Sequence, residues 1–482
     1  GDTSLAGSSE QSNVDMRSLA ADSVHTYTAS GTIQILGGPA GDYNLVEIGP
    51  LGLVDSSGYF VVTTGSDMSL IAGSGNSSSV SLQSGGGTLG DTWSIGGSLI
   101  LTAGPTSGVS MLLNNQSPMP SPAATYTITN NLTITSGSGG STGTPSCTAD
   151  FFYGNFHVIG DVTLQGGSST NAHVNFDSDN DGGTINIEGN FSALGGTGQG
   201  ASIKGLFSTN NGSINIVKNF TVQGGTGENT ASQIELGNDI STGETLNIGG
   251  DTLIQGEKGA AELIFGEEFT FQEGEILIAG NCTISGGAGG SLTASTGAAA
   301  ISGLGFLHLE VGGALQILGG SGPNALSQIA SYLFPGVITN QQLIYVKGNT
   351  AIQGGGGSNA AAVIGLGTLG ITGTQTIALG GNLNISGGAG TTATASIVND
   401  AFIGNFMGMP FDSDGPTLNL NVLDNIVCTN QAPSGASAMI GGISGFSFLV
   451  PGLSPAPGSV TVQAGGNIQL ASSLDVTFSG VS

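Results

Sequence analysis

Residues 212–224, GSINIVKNFTVQG, carry the pattern that decides the fold. Polar and apolar side chains alternate in residues 213–216 and again in 220–223, which is typical of short strands with one buried face. Asn219 stands between the two segments. Asn is common in turns because its side chain hydrogen-bonds the local backbone and because it tolerates a positive φ. The stretch therefore predicts two strands joined by a tight corner.

The pattern that starts at Asn219 recurs along the chain at intervals of 29 to 43 residues. Its first residue, called the anchor below, is Asn or Asp in eleven of fourteen copies, and the third residue after it is apolar in all fourteen. A repeat of this length is typical of solenoids. The anchors are Thr32, Asp67, Ser98, Asn131, Asp161, Asn190, Asn219, Asp251, Asn281, Ala314, Asn349, Asn382, Asn425 and Asn467. The apolar residues that follow them are Ile35, Leu70, Leu101, Ile134, Leu164, Ala193, Val222, Ile254, Ile284, Ile317, Ile352, Ile385, Cys428 and Leu470.

A third strand-like segment precedes the other two in each period, as residues 201–204 precede 213–217. Three short strands per period fit coils that stack in parallel and bury their inward residues in columns. We therefore predict an all-β fold, a right-handed parallel β-solenoid (β-helix) of about fourteen coils of roughly 30 residues, with three short strands per coil. The stacked Asn anchors are expected to form a hydrogen-bonded ladder.

The repeat also predicts the domain organisation. Residues 31–482 are expected to form a single β-solenoid, with longer loops near 402–416 and 444–457, where a solenoid can carry function. Residues 1–30 lack the motif and are expected to be an N-terminal cap or assembly segment, with a short helix over 14–23.

Charge excludes several classes of partner. Only five Lys and Arg residues oppose 32 Asp and Glu residues, for a net charge of −27. Nucleic acid is excluded because phosphate binding needs clustered Lys and Arg.

No apolar run is long enough for a transmembrane segment. The three cysteines, Cys147, Cys282 and Cys428, are too few and too scattered for a disulfide framework and are expected to be small buried hydrophobic residues.

One short motif predicts a metal site. Asp177, Asp179 and Asp181 alternate with other residues and are followed by Gly182, as in a calcium-binding loop of the EF-hand type. The sequence predicts that these three carboxylates bind Ca²⁺. No helix flanks the motif, and Glu188 is expected to be a corner residue and not a ligand. The alternative is an acidic, solvent-exposed turn.

Catalytic motifs are weak. The four histidines, His25, His157, His173 and His308, share no metal-ligand spacing and are expected to be surface or turn residues. His157 and His173 flank one coil, but no Cys or Glu constellation joins them. Polysaccharide lyases use basic residues, which this chain almost lacks. A hydrolase with paired Asp residues remains an alternative. We predict that the chain is not an enzyme.

The C-terminal stretch Ser459-Val-Thr-Val-Gln-Ala-Gly-Gly-Asn-Ile-Gln-Leu470 resembles the repeats of filamentous-haemagglutinin-type exoproteins and autotransporter passengers. The resemblance extends through the degenerate repeat over most of residues 30–482 and implies a secreted parallel β-helix with an extracellular or cell-surface role. The start at Gly1 is interpreted as a mature chain from which a signal peptide has been removed.

Two functions follow as expectations. The first is a non-enzymatic structural protein, a subunit of a self-assembling surface filament. Its copies would join head to tail as a homo-oligomer, because the strand pattern of residues 474–479 leaves a pairing edge for another copy. The alternative is a secreted adhesin or passenger that binds a cell-surface or matrix ligand.

Overall fold

The structure is a computed structural model of the 482-residue chain. It describes residues 3–6, 13–18, 24–38, 45–50, 59–74, 79–83, 91–113, 124–137, 145–152, 154–179, 183–208, 213–237, 244–265, 274–288, 297–304, 306–332, 340–369, 373–390, 393–403, 405–406, 409–410, 417–430, 437–441, 454–455, 459–471 and 478–479. All regular secondary structure in these ranges is β-strand. The chain divides into two compact units, residues 1–239 and 240–482, and each is described by itself.

In the first unit each coil contributes one strand to each of three sheets, named A, B and C. Sheet A holds β1 (Thr3–Ala6), β4 (Ile33–Leu36), β7 (Met68–Ile71), β10 (Leu99–Thr102), β13 (Leu132–Thr135), β16 (Val162–Gln165), β19 (Phe191–Leu194) and β22 (Phe220–Gln223). Sheet B holds β2 (Asn13–Ser18), β5 (Leu45–Pro50), β8 (Ser79–Gln83), β11 (Gly108–Leu113), β14 (Ser146–Phe152), β17 (His173–Asp179), β20 (Ser202–Ser208) and β23 (Ala231–Leu236). Sheet C holds β3 (Val24–Ala29), β6 (Tyr59–Thr64), β9 (Thr92–Ile95), β12 (Ala124–Ile128), β15 (Gly154–Val158), β18 (Ile185–Ile187) and β21 (Ser213–Ile216).

The second unit repeats the arrangement. Sheet A holds β25 (Thr252–Gln255), β28 (Cys282–Ser285), β31 (Leu315–Leu318), β34 (Thr350–Gln353), β37 (Leu383–Gly387), β42 (Ile426–Asn430) and β46 (Ile468–Ala471). Sheet B holds β26 (Ala260–Phe265), β29 (Ala299–Leu304), β32 (Ser327–Tyr332), β35 (Ala362–Leu369), β38 (Thr394–Ile403), β43 (Ser437–Gly441) and β47 (Phe478–Ser479). Sheet C holds β24 (Glu244–Ile248), β27 (Gly274–Ile278), β30 (Phe306–Val311), β33 (Asn340–Val346), β36 (Gly373–Leu379), β41 (Thr417–Val422) and β45 (Ser459–Ala464).

Successive strands of each sheet pair in parallel within both units, which confirms the predicted solenoid with three strands per coil. In the described residues, sheet A has eight strands in the first unit and seven in the second, one more than the fourteen copies of the repeat. The additional coil is formed by β1, β2 and β3, where Leu5 pairs with Ile35.

The expected helix over residues 14–23 is therefore wrong. Residues 13–18 form β2, which pairs in parallel with β5. A helix of about ten residues is marginal by itself, and the parallel pairing with β5 supplies the backbone hydrogen bonds instead.

The predicted inward column is confirmed. Thirteen of its fourteen residues, from Ile35 to Cys428, are at most 1% exposed, and the side chain of Leu470 lies outside the described residues. Members of neighbouring coils are direct partners in sheet A, as Ile284 is with Ile317. The three cysteines are buried thiols without disulfides, as expected. Burial raises the pKa of Cys282 to about 12 and that of Cys428 to about 11.

The anchors form the predicted ladder. Asn190 N donates to Asp161 Oδ1 at 2.7 Å, and Asn382 N donates to Asn349 Oδ1 at 2.9 Å. These rungs join a side-chain oxygen to the backbone N–H of the next anchor, and Ala314, which has no side-chain oxygen, receives a bond from Asn281 but offers none to Asn349. Positive φ occurs elsewhere: the four described non-glycine residues with φ of 52–56° are Asn171, Asn229, Asn324 and Asn359, all of which precede strands of sheet B. These turns are a second Asn column that the repeat analysis did not identify.

The two predicted long loops depart from the regular coil in their described parts. The first contains β39 (Asn405–Phe406) and β40 (Met409–Pro410), which pair antiparallel, and β44 (Ser454–Pro455) of the second pairs antiparallel with β38. In the described part of the chain, no helix has the length and apolar character needed to cross a bilayer.

Candidate functional site

The candidate site lies on the outer face of sheet C in the second unit, across β27, β30 and β33. Because side chains alternate between the two faces of these strands, Ile276, Leu309 and Ile344 point into the buried interior. The intervening residues point outward because successive side chains of a strand face opposite sides. This places Glu275, His308, Glu310 and Tyr345 on the outer face.

The parallel register brings these side chains together. Glu275 is the direct strand partner of His308, and Glu310 is the partner of Tyr345. His308 Nδ1 lies 3.0 Å from Glu275 Oε1, and His308 Nε2 lies 3.4 Å from Glu310 Oε1. The ring of Tyr345 packs edge to face on the His308 ring, with centroids 5.5 Å apart. One imidazole is therefore held between two carboxylates and against an aromatic ring.

The two nitrogens of His308 have different surroundings. The Nδ1 contact with Glu275 is an ion-pair contact at hydrogen-bonding distance. Nε2 is buried and has no hydrogen-bond partner, although Glu310 is within ion-pair distance. The His308 side chain is 18% exposed, whereas Glu275 and Glu310 are 35% and 47% exposed. The histidine is thus fixed by packing, and the carboxylates reach solvent.

A groove of about 480 Å³ adjoins this cluster. Small residues at equivalent corners of three coils, Gly249, Ala279 and Gly312, leave the space open. Glu310, Tyr345 and Lys347 line it together with Asn247 and Leu277. The groove therefore combines one aromatic face with a carboxylate, an ammonium and an amide, a mixture suited to a small polar ligand.

The chemistry available to the cluster is that of one imidazole and two carboxylates. These groups can accept or donate protons, and they are also the ligands that zinc-type ions take in proteins. In the described residues, Glu275, His308 and Glu310 are the one group of three or more His, Cys, Asp and Glu residues whose donor atoms all lie within 4.8 Å of one another.

The prediction for His308 is corrected by this geometry. His308 was expected to be a surface or turn residue, but it lies within β30, its side chain is 18% exposed, and it contacts two glutamates. His157 lies at the surface, where its Nε2 is 2.9 Å from Glu188 Oε1. Glu188 is at the bend after β18, as the expectation of a corner residue requires.

The cluster was missed because its members are distant in sequence, yet a signal exists. Glu275 and His308 each lie six residues before an anchor, Asn281 and Ala314, and Glu310 lies four before Ala314. Counting backward from the anchors would have placed Glu275 and His308 in one outward column.

The predicted calcium residues lie partly within the described chain. Asp177 and Asp179 belong to β17, and Asp181 lies outside the described residues. Asp177 pairs in register with Asp150 of β14. Burial raises the pKa of Asp150 to about 7. Calcium binding at Asp177, Asp179 and Asp181 stays a prediction.

Comparisons with known proteins identify no family. No family model and no curated protein match the sequence. A crystal structure of a TibA fragment that was hyper-glycosylated in a reaction catalysed by TibC is 15% identical, with a TM-score of 0.19, and the match covers 74% of this chain and 97% of that chain. A TM-score this low supports no inference, so the β-solenoid assignment rests on the strand pairing itself.

Proposed function

We propose that this protein is an extracellular, non-enzymatic β-solenoid of the adhesin type, which binds a neutral glycan of a cell surface or matrix in the groove beside Tyr345. The observation that carries the proposal is the groove itself, where a Tyr345 side chain that is 38% exposed stands beside Glu310 and Lys347. The repeat resembles those of secreted exoproteins and autotransporter passengers, and that resemblance supports the extracellular role.

The filled interior favours a ligand on the outer face. Inward residues such as Ile276, Leu309 and Ile344 are completely buried, so the core of the coils is packed with side chains. Ligand chemistry is therefore left to the outward side chains of the sheets.

Charge favours a neutral ligand over a polyanion. The net charge of −27 repels nucleic acids and sulfated polymers. Tyrosine offers an apolar face and a hydroxyl, and the carboxylate of Glu310 and the amide of Asn247 can accept hydrogen bonds from sugar hydroxyls. A hydroxyl-rich, uncharged glycan matches this set.

Glycan binding is tested with the purified chain on a panel of immobilised neutral and anionic polysaccharides. Tyr345→Ala is expected to weaken binding of the best neutral glycan by about tenfold or more, since aromatic anchors dominate such contacts. Val217→Ala, which removes an exposed side chain directly after β21 in the first unit, is the control and should bind as the wild type does. Equal binding by Tyr345→Ala would contradict the proposal.

The filament subunit is the second function that we propose, and it rests on the strand pattern near residues 474–479. In the structure β47 pairs with β43, and residues 472–477 and 480–482 lie outside the described residues. Uniform fibres in electron micrographs that disappear when residues 474–482 are deleted would support a filament. A single monomeric species in sedimentation at high concentration would favour the adhesin.

A further inference from the structure

We infer that His308 and Glu310 are ligands of a divalent transition-metal ion of the zinc type, and that Glu275 positions the His308 ring for it. The inference does not depend on glycan binding, because it concerns the ion and the protein alone. It also differs from the predicted calcium site, which would use only carboxylates on β17 and in the residues after it.

The histidine is oriented as a metal ligand requires. Histidines that bind metals commonly donate their second ring N–H to a carboxylate, which sets the tautomer and leaves the lone pair on the other nitrogen. Glu275 Oε1, 3.0 Å from Nδ1, is placed to accept that N–H. The lone pair then lies on Nε2, which is buried and has no hydrogen-bond partner among the described residues.

The spacing of the donor atoms suits a small ion. In a tetrahedral site with bonds of about 2.0–2.1 Å, neighbouring donor atoms are about 3.4 Å apart. Nε2 and Glu310 Oε1 are 3.4 Å apart and lack hydrogen-bond geometry. Glu275 contacts the other ring nitrogen and therefore positions the imidazole without binding the ion itself. The Glu310 side chain, 47% exposed, has room to rotate toward an ion.

Ligand chemistry selects the type of ion. One imidazole nitrogen with one carboxylate oxygen suits Zn²⁺ and its neighbours, whereas Ca²⁺ and Mg²⁺ prefer oxygen ligands alone. Two protein ligands leave positions for water and for a ligand from the adjoining groove, which Glu310 also lines. Lys347 also lines the groove, and its ammonium group repels a cation bound there.

The test measures Zn²⁺ binding to the full chain by calorimetry, with Co²⁺ absorption as a second readout of coordination. The wild type is expected to bind one equivalent at this site and to melt at a higher temperature with Zn²⁺ present. His308→Ala and Glu310→Gln should each weaken this binding by about tenfold or more and remove the thermal shift. Glu275→Gln keeps an oxygen that can accept the Nδ1–H and should bind Zn²⁺ nearly as tightly as the wild type, whereas Glu275→Ala removes that acceptor and should weaken binding.

The matched control is His157→Ala, which removes a histidine paired with one glutamate, Glu188. This variant should bind Zn²⁺ at the site as tightly as the wild type. Far-UV circular dichroism without zinc checks that each variant is folded, which is expected because these side chains face outward. Wild-type affinity in His308→Ala, or no binding by the wild-type chain, would overturn the inference and leave an ion-pair cluster.

Discussion

At the level of single residues, Asn and Asp anchors such as Asp161, Asn190 and Asn382 stabilise the stack because they supply an acceptor to the next coil. Asn382 Oδ1 accepts from Asn425 N at 3.3 Å and from Asn425 Nδ2 at 2.9 Å. Removing the Asn382 side-chain oxygen would remove both hydrogen bonds. The Asp161 and Asp251 carboxylates accept the corresponding backbone N–H, so the acceptor oxygen, and not the amide, is the shared feature.

This role predicts opposite outcomes for two substitutions of Asn382. Asn382→Ala should lower the free energy of unfolding by about 1–2 kcal/mol, because the backbone N–H of Asn425 loses its side-chain acceptor. Asn382→Asp keeps that acceptor and should cost less than half as much. Urea unfolding measures both values. Equal losses in the two variants would show that the ladder oxygen is not what stabilises the turn.

Asp150 gives a prediction about pH. Burial raises its pKa from 3.8 to about 7, so the folded state binds more protons than the unfolded state between these values. The free energy of unfolding therefore falls as pH rises through this window, and the stabilisation present at low pH is lost above pH 7. Asp150→Asn should be more stable than the wild type at pH 8 by about 1–2 kcal/mol, with a smaller difference at pH 5.

Denaturant midpoints at pH 5 and pH 8 measure that change. Glu228→Gln, which removes a carboxylate from an exposed position, controls for the change in net charge. A wild-type pH dependence that persists in Asp150→Asn would assign it to other groups.

At the scale of elements, strand β17 bears on the calcium prediction. Residues 177–179 are extended and paired with β14 and β20, whereas a loop of the EF-hand type bends around its ion from the first ligand onward. Any calcium site here therefore has to form at the end of a strand.

A chelator experiment tests this site. If Asp177, Asp179 and Asp181 bind Ca²⁺, then a calcium-selective chelator should lower the melting temperature, because the bound state loses its linkage stabilisation. Asp179→Ala should abolish the effect. His308→Ala should keep it, which separates this site from the proposed zinc site. An unchanged melting temperature in the wild type would leave the acidic turn as the better interpretation.

The interiors of the two units are filled differently. In the first unit, aromatic rings contact one another inside the coils, as Phe191 and Phe220 do with stacked rings 5.2 Å apart. In the second unit, two completely buried glutamines pair across neighbouring coils, with Gln375 Nε2 donating to Gln342 Oε1 at 2.6 Å. Gln342 Nε2 in turn donates to Gly365 O, so each of the two buried glutamines makes at least one hydrogen bond inside the coils.

At the scale of the whole molecule, the net charge of −27 predicts a dependence on salt. Like charges repel more in the compact state than in the unfolded chain, and salt screens that repulsion. Raising NaCl from about 20 mM to about 500 mM should therefore raise the melting temperature. Calorimetry at several salt concentrations measures the change. A lower melting temperature in salt would show that the few ion pairs, such as Lys204–Glu235, outweigh the repulsion.

The period, the inward column and the Asn ladder could all be predicted from the amino-acid sequence. Each of these depends on a local pattern that returns in every coil, such as Asn281 with Ile284 and Asn349 with Ile352. Stacking of equivalent positions then follows from the repeat. The first coil escaped detection because residues 1–30 lack the motif, although β1 pairs with β4 in the same register as the later strands.

The contacts between outward side chains of neighbouring strands could be found only from the three-dimensional structure. Glu275 and His308 are 33 residues apart, and their contact depends on the register between β27 and β30. Outward positions vary from coil to coil because no packing constrains them, so they have no shared residue type for a repeat search to detect. The lengths of the intervening segments also differ, and only strand pairing fixes which positions become neighbours.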